Sequence, residues 1–207
     1  FLEDWRDRIH PLYLMVSLPP DFMYPADDHT TRMLQQVILP FCRASGLPLA
    51  LMIGVRRSVN PFLQLAGDGV GRADLSALQC LCAENQDVKF LSTLLSRENQ
   101  HELCVLGRKF RNLHIFGCWW FTNVPSMIQE MTRMRLELLG TSFTAQHSDA
   151  RVLDQVLYKW DHSRRVIADV LTDKYFDMQQ TGWPLSEEII RADVTHLLGA
   201  GFEGFCS

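Results

Sequence analysis

Five short apolar runs, each separated from the next by a segment of helical periodicity, constrain this chain more than any other feature. They are PLYLMVSL (11–18), LPLALMIGV (47–55), VKFLSTLLS (88–96), NLHIFGCWWF (112–121) and TSFTAQHSD (141–149). A strand that is apolar on both sides is buried on both sides, which is the condition of a parallel sheet covered by helices. Parallel neighbours need a long crossover, commonly a helix. The predicted order is β-α-β-α-β-α-β-α-β. Two further helices follow, over VLDQVLYKWDHSRRVIADVLTDKYFDMQQTG and SEEIIRADVTHLLGAGFEGF, broken at Gly182 and Pro184.

Local signals bound the helices. Thr30 or Thr31 is the predicted N-cap of RMLQQVILPFCRASG and Gly46 its stop, while Pro40 inside it predicts a kink or an early end. Asp74 is the predicted cap of LSALQCLCAENQ. In ENQHELCVLGRKF, Glu98 and Glu102 sit near the N-terminal end and Arg108 and Lys109 near the other, as the helix dipole favours. Met127, Met131, Met134 and Leu138 read as a core stripe. The stretch SVNPFLQLAGDGVGRAD (58–74) reads as a long functional or mobile loop. Its GDGVG lacks the order and the following Lys-Ser/Thr of a P-loop.

Composition removes several classes of function. The 207 residues carry a net charge of −4 with no like-charge block, which argues against nucleic-acid binding and against a polybasic membrane patch. The longest apolar runs, such as 47–55, fall far short of the ~20 residues of a membrane span. The opening FLEDWRDR is not a signal peptide, so the expectation is a cytoplasmic protein. Cys42, Cys80, Cys82, Cys104, Cys118 and Cys206 form no CxxC pair and read as reduced thiols.

Polar residues collect where the strands end. Arg56 and Arg97 each follow an apolar run, and His147-Ser148-Asp149-Ala150-Arg151 closes the fifth. In barrels of repeated βα units, side chains at the C-terminal ends of strands face the reaction. No nucleotide fingerprint follows the first strand, so a Rossmann fold is disfavoured. Five βα units suit a (β/α)₈ barrel better, but a whole barrel takes about 250 residues. The expectation is therefore one partial barrel domain over 1–207, comprising about strands four to eight and extra C-terminal helices. Three N-terminal βα units would lie outside the sequence.

The residues themselves leave roles open. From spacing alone, Asp149 reads equally as the N-cap of a helix starting near Val152 and as a charge placed for chemistry. It shares a side of the strand with Arg151 if the chain stays extended, and faces it across a turn if not. Arg151 otherwise reads as a surface ion pair with Asp154 or Asp149. Trp119 and Trp120 are predicted to alternate about their strand, one facing inward. His147 either supports Asp149 from the same strand face or is a satisfied core histidine. Arg56 and Arg97 are either carboxylate-binding groups or solvated loop charges.

At IFGCWWF, EMTRMRLELLGTSF and HSDAR the sequence resembles the uronate isomerase family, a branch of the metal-dependent amidohydrolase superfamily of (β/α)₈ barrels. The resemblance runs from about Leu12 to Phe205 and includes MIGVRR, LLSRENQHEL, YKWDHSRRVIADVL and GWPLSEEII. It implies an aldose–ketose isomerase, interconverting D-glucuronate and D-fructuronate or D-galacturonate and D-tagaturonate. Asp149 matches the aspartate of the eighth strand, which approaches the metal and acts as base. Arg151 matches the active-site arginine, and Trp120 the pocket aromatic. Arg56 and Arg97 would meet the uronate carboxylate. The implied cofactor is a divalent metal, Zn2+, which would orient the sugar oxygens and polarise the carbonyl. The family's H-x-H pair does not occur in this sequence, and Met52 stands where many members have histidine. The expected partners are a small uronic acid and further copies of the same chain. A metal-dependent hydrolase of the same superfamily, or a degenerate barrel acting only as a binding module, are the alternatives.

Overall fold

Four of the five apolar runs contain strands: β1 (Leu14–Leu18), β2 (Leu49–Ile53), β5 (Phe90–Leu94) and β6 (Leu113–Ile115). A small hairpin of β3 (Val55–Arg56) and β4 (Gly69–Val70) lies between β2 and β5 in the chain. The computed structural model describes residues 1–207, the side chain of Leu65 excepted. Two units divide the chain: Phe1–His114 with Cys206–Ser207, and Ile115–Phe205.

In the first unit the sheet order is β1-β2-β5-β6. β1 and β2 pair in parallel, as do β2 and β5, so Ser17, Met52 and Thr93 lie in register across three strands. β2 and β5 are buried at every residue; β2 is apolar throughout, while β5 also buries Ser92 and Thr93. β1 departs from the expected buried strand. It lies at the end of the strand order, and Met15 is 61% exposed. In the same unit α4 (Ser76–Glu84) and α5 (Gln100–Gly107) contribute Leu78, Leu81, Leu103 and Cys104 to the core.

Other expectations are corrected here. Residues 2–9 form α1 (Leu2–Ile9), which the strand-based reading did not place; it buries none of its residues. The next helix is capped by Asp28, whose carboxylate accepts from Thr31 N at 2.7 Å; the Thr31 hydroxyl turns instead to Ala26 N. Pro40 does not end that helix. α2 (His29–Met33) passes into a π-helical turn, Leu34–Ile38, and then into α3 (Leu39–Ser45), which stops at Gly46 in the left-handed conformation. The wider turn spares the helix the bond that proline cannot donate. Residues 58–74 are not one open loop. Asp68 accepts from Ser58 N at 2.9 Å and pairs with the Arg57 guanidinium, tying the base of the β3–β4 hairpin. Asp74 is not the N-cap of the helix over 76–84, which is Leu75 with no side-chain cap; it stands one residue earlier and accepts from Ser76 N at 2.9 Å.

The second unit is mostly helical: α6 (Pro125–Leu139), α7 (Leu153–Gln180), α8 (Glu187–Thr195) and α9 (Gly201–Cys206), the last ending at the unit boundary. The break between α7 and α8 falls at Gly182 and Pro184 as expected, and Ser186 caps α8. Arg133–Asp173 and Lys174–Glu137 ion pairs join α6 to α7. Of the predicted stripe Met131 is buried, beside Ile128, Thr132 and Arg135, while Met127, Met134 and Leu138 are half-buried. The helix is rotated so that Arg135, 1% exposed, points inward. Among the described residues no helix is long and apolar enough to cross a membrane.

Candidate active site

The segments after Ile115 and after Thr141 run alongside each other, but not as the long strands expected. Phe116 and Thr144 form a single parallel bridge, with Thr144 N bonding Ile115 O and Gly117 N bonding Thr144 O, each at 2.9 Å. Gly117 then turns the chain at φ 64°. A Cβ there would lie 1.9 Å from His147 Cδ2, so glycine is what admits the imidazole against the backbone. GCWWF is therefore a turn, with a 3-10 helix at Trp120–Thr122, and Trp119 and Trp120 do not alternate along a strand. Trp119 is buried, and Trp120 is half-buried with φ 44°.

TSFTAQHSD likewise forms no regular strand. Asp149 sits on a bend with φ 44°, so it and Arg151 are related across a turn. The helix-cap role for Asp149 fails: the N-cap of α7 is Val152, and no side chain caps it. Arg151 is not ion-paired with Asp154 or Asp149. Its guanidinium lies 6.0 Å from the Trp120 ring centroid. Trp120 in turn stacks on Phe121 at 4.5 Å. The structure thus brings Asp149, Arg151, Trp120 and His147 together on two adjoining turns of the second unit.

Charge in this cluster is set by its surroundings. Asp149 is solvent-exposed as a residue, yet partial desolvation of its carboxyl raises its pKa above the usual carboxylate value, against the pull of Lys159 and Arg151. His147 is driven the other way, down to about 4, by burial first and then by the charges of Arg135 and Lys159. It is neutral at physiological pH. Its Nε2 is buried with no hydrogen-bond partner, so it is not a fully satisfied core histidine.

A buried amide network beneath the turns was not foreseen. The Gln146 side chain accepts from Cys118 N at 3.2 Å and donates to Asn123 Oδ1 at 3.0 Å and Ser163 Oγ at 2.7 Å. Arg135 donates to Gly117 O at 2.8 Å. The available signal was the placement of uncharged polar residues within otherwise buried runs.

Arg56 and Arg97 belong to the first unit. Arg56 is exposed at the end of β3, on a cleft of about 650 Å³ also lined by Arg57, Arg72, Asp21 and Asp74. Arg97 is exposed at the start of the 3-10 turn after β5. Met52 is buried within β2. A second cleft of about 780 Å³ between α7 and α8 is apolar, lined by Ile167, Leu171, Phe176, Ile190 and Leu197; none of the candidates reaches it.

The fold defines an α/β protein with a parallel sheet and helices. Over 100% of its length it is similar to a uronate isomerase from Bacillus halodurans C-125, at 53% identity and a TM-score of 0.97, covering 49% of that chain. The similarity to this uronate isomerase extends through the whole of the present chain. Two further solved structures share the fold at low identity. A uronate isomerase from Thermotoga maritima is 15% identical with a TM-score of 0.77, over 93% of this chain and 49% of that one. A glucuronate isomerase from Caulobacter crescentus is 14% identical with a TM-score of 0.79, over 99% and 48%. This chain therefore spans about half the length of these solved relatives. No family model matches it, and neither does any curated protein.

Proposed function

We propose that the chain supplies the C-terminal part, about strands four to eight, of the (β/α)₈ barrel of a uronate isomerase. The reaction is interconversion of D-glucuronate with D-fructuronate, or D-galacturonate with D-tagaturonate. The observation that carries this is the Asp149–Arg151 turn, with the guanidinium over Trp120 and no helix-capping role for the aspartate.

Isomerisation moves a proton from C2 to C1. In this reading the Asp149 carboxylate takes the C2 proton, the C2–H electrons form the C1–C2 double bond, and the carbonyl electrons move onto O1. Arg151, permanently charged and forked, faces that developing oxyanion. The electrons of the C1–C2 double bond then take up the proton at C1, while the O2 proton passes to O1, so that O1 becomes the hydroxyl and O2 the ketone oxygen. A carboxyl whose pKa burial raises above its ordinary value is a better base than an ordinary one. Trp120 offers a flat apolar face to the sugar, and His147, neutral, supports the turn from beneath. Arg56 and Arg97 are proposed to recognise the uronate carboxylate.

A divalent metal, Zn2+ by the resemblance, is part of the proposal, with Asp149 the residue of this chain that would touch it. The chain does not form a metal cradle alone: among the described residues no three His, Cys, Asp or Glu side chains converge.

The test is steady-state isomerisation of glucuronate and galacturonate by the protein, with solvent exchange of the C2 proton followed alongside. Turnover with C2 exchange supports the reading. Hydrolysis of an amide or lactone without C2 exchange would replace it with the hydrolase.

A further inference from the structure

We infer that Gln155 and Lys159, on the first turns of α7, are positioning residues for the Asp149–Arg151 pair. The inference rests on the reading of that pair as catalytic. Asp149 holds φ 44°, a conformation that disfavours side chains and persists only where surroundings impose it. The bend at 149–151 belongs to no strand and has no sheet ladder to fix it. Two side chains of α7 do so instead. Lys159 Nζ donates to the Asp149 carbonyl at 3.0 Å, and Arg151 N donates to Gln155 Oε1 at 2.8 Å.

Gln155 and Lys159 are four residues apart and so share one face of the helix. They grip the backbone on either side of Ala150, one through its oxygen and one through its N–H. α7 itself is held by Ser163, Ile167, Val170 and Leu171, all buried, and by its ion pairs to α6. The clamp thus transfers the fixed position of a packed 28-residue helix to a bend that has little packing of its own. The Lys159 bond carries a full charge on its donor, which strengthens it beyond an ordinary amide bond. Neither residue points a group at the reacting carbons; both act through the backbone of the residues that do.

The test compares Lys159→Met, Lys159→Arg, Gln155→Leu and Gln155→Glu in the whole protein, each also combined with Asp149→Asn. Misplacing a reacting group by about 1 Å costs ~10²-fold. Lys159→Met and Gln155→Leu should therefore lower kcat for glucuronate roughly tenfold to ~10²-fold, with KM little changed. Lys159→Arg keeps a charged donor, Gln155→Glu keeps an acceptor oxygen, and both should recover most of the loss. On the Asp149→Asn background, Lys159→Met should add little, because its effect passes through Asp149. Unchanged kcat in a folded Lys159→Met, or a full multiplicative loss on the Asp149→Asn background, overturns the clamp. If Lys159→Met does not fold, Gln155→Leu decides by the same criteria. Retained activity in Asp149→Asn alone would instead defeat the catalytic reading on which the clamp rests.

Discussion

The guanidinium of Arg151 lies over the indole of Trp120, 6.0 Å from its centroid, rather than against a carboxylate. A charge held on an aromatic face keeps its donors available to a third group. Arg151→Lys keeps the charge and loses both the planar stack and the fork. An oxyanion donor is worth ~3–4 kcal/mol, or ~10²–10³ in rate. Turnover of glucuronate should fall by that amount in a variant whose thermal unfolding is unchanged; near wild-type turnover would remove Arg151 from the mechanism.

Asp149→Asn preserves shape and removes the base. Turnover should fall ~10²–10⁴-fold, the usual worth of general acid–base catalysis. C2–proton exchange should fall with it. Asparagine caps helices nearly as well as aspartate, so a capping role would leave activity almost intact. Recovery of most of the activity with added zinc would reduce Asp149 to a metal ligand.

Gly117→Ala should destabilise the second unit far more than Gly46→Ala destabilises the first. Both glycines have positive φ, costing roughly 1–2 kcal/mol for a side chain. At Gly46 a Cβ meets nothing within 4 Å, whereas at Gly117 it meets the His147 ring at 1.9 Å, adding about 1–3 kcal/mol of overpacking. Denaturant midpoints of the two variants, compared with wild type, decide it. Equal shifts would mean that the His147 ring swings away at no cost.

Burial pushes the Cys42 thiol from its ordinary 9.0 up to about 11 and the Cys82 thiol up to about 12. The unfolded chain therefore gives up these protons first. Their contribution to stability is whole below pH 9 and is lost as pH rises through the folded values. Alkaline titration should lower the unfolding midpoint from about pH 9 upward, and Cys42→Ala/Cys82→Ala should flatten that slope. At neutral pH an alkylating reagent should reach the half-buried Cys80 and Cys206 well before Cys42 or Cys82.

The element order was legible because β2 is apolar at every position and β5 carries no charge, whereas the helical segments between the strands carry charged residues. α1 was missed because it buries nothing, and so leaves no core-facing signature beside the stronger strand pattern that follows. The expected strands over 112–121 and 141–149 were overread: apolar content predicts burial, while Gly117, Trp120 and Asp149 at positive φ decide that the chain turns. The proximity of Asp149 and Arg151 followed from their spacing. Their separation from any helix-capping role did not, because it depends on where α7 begins. Gln146, Asn123 and Ser163 carry no charge and form no motif; only folding reveals that three distant residues satisfy one another. Lys159 carries no signal of its own in the sequence, because the carbonyl it holds lies ten residues back and off the helix.

The helix through Pro40 carries one more consequence. Its buried residues are Thr31, Leu34, Leu39 and Cys42, at intervals of three, five and three. An α-helix counts in threes and fours, and the interval of five is the beat that the π turn at Leu34–Ile38 inserts. The proline is thus a metronome rather than a stop. It sets the phase between two halves of one helix, so that a one-residue insertion or deletion near Gln36 would leave every residue's chemistry intact and turn half of the apolar stripe toward water.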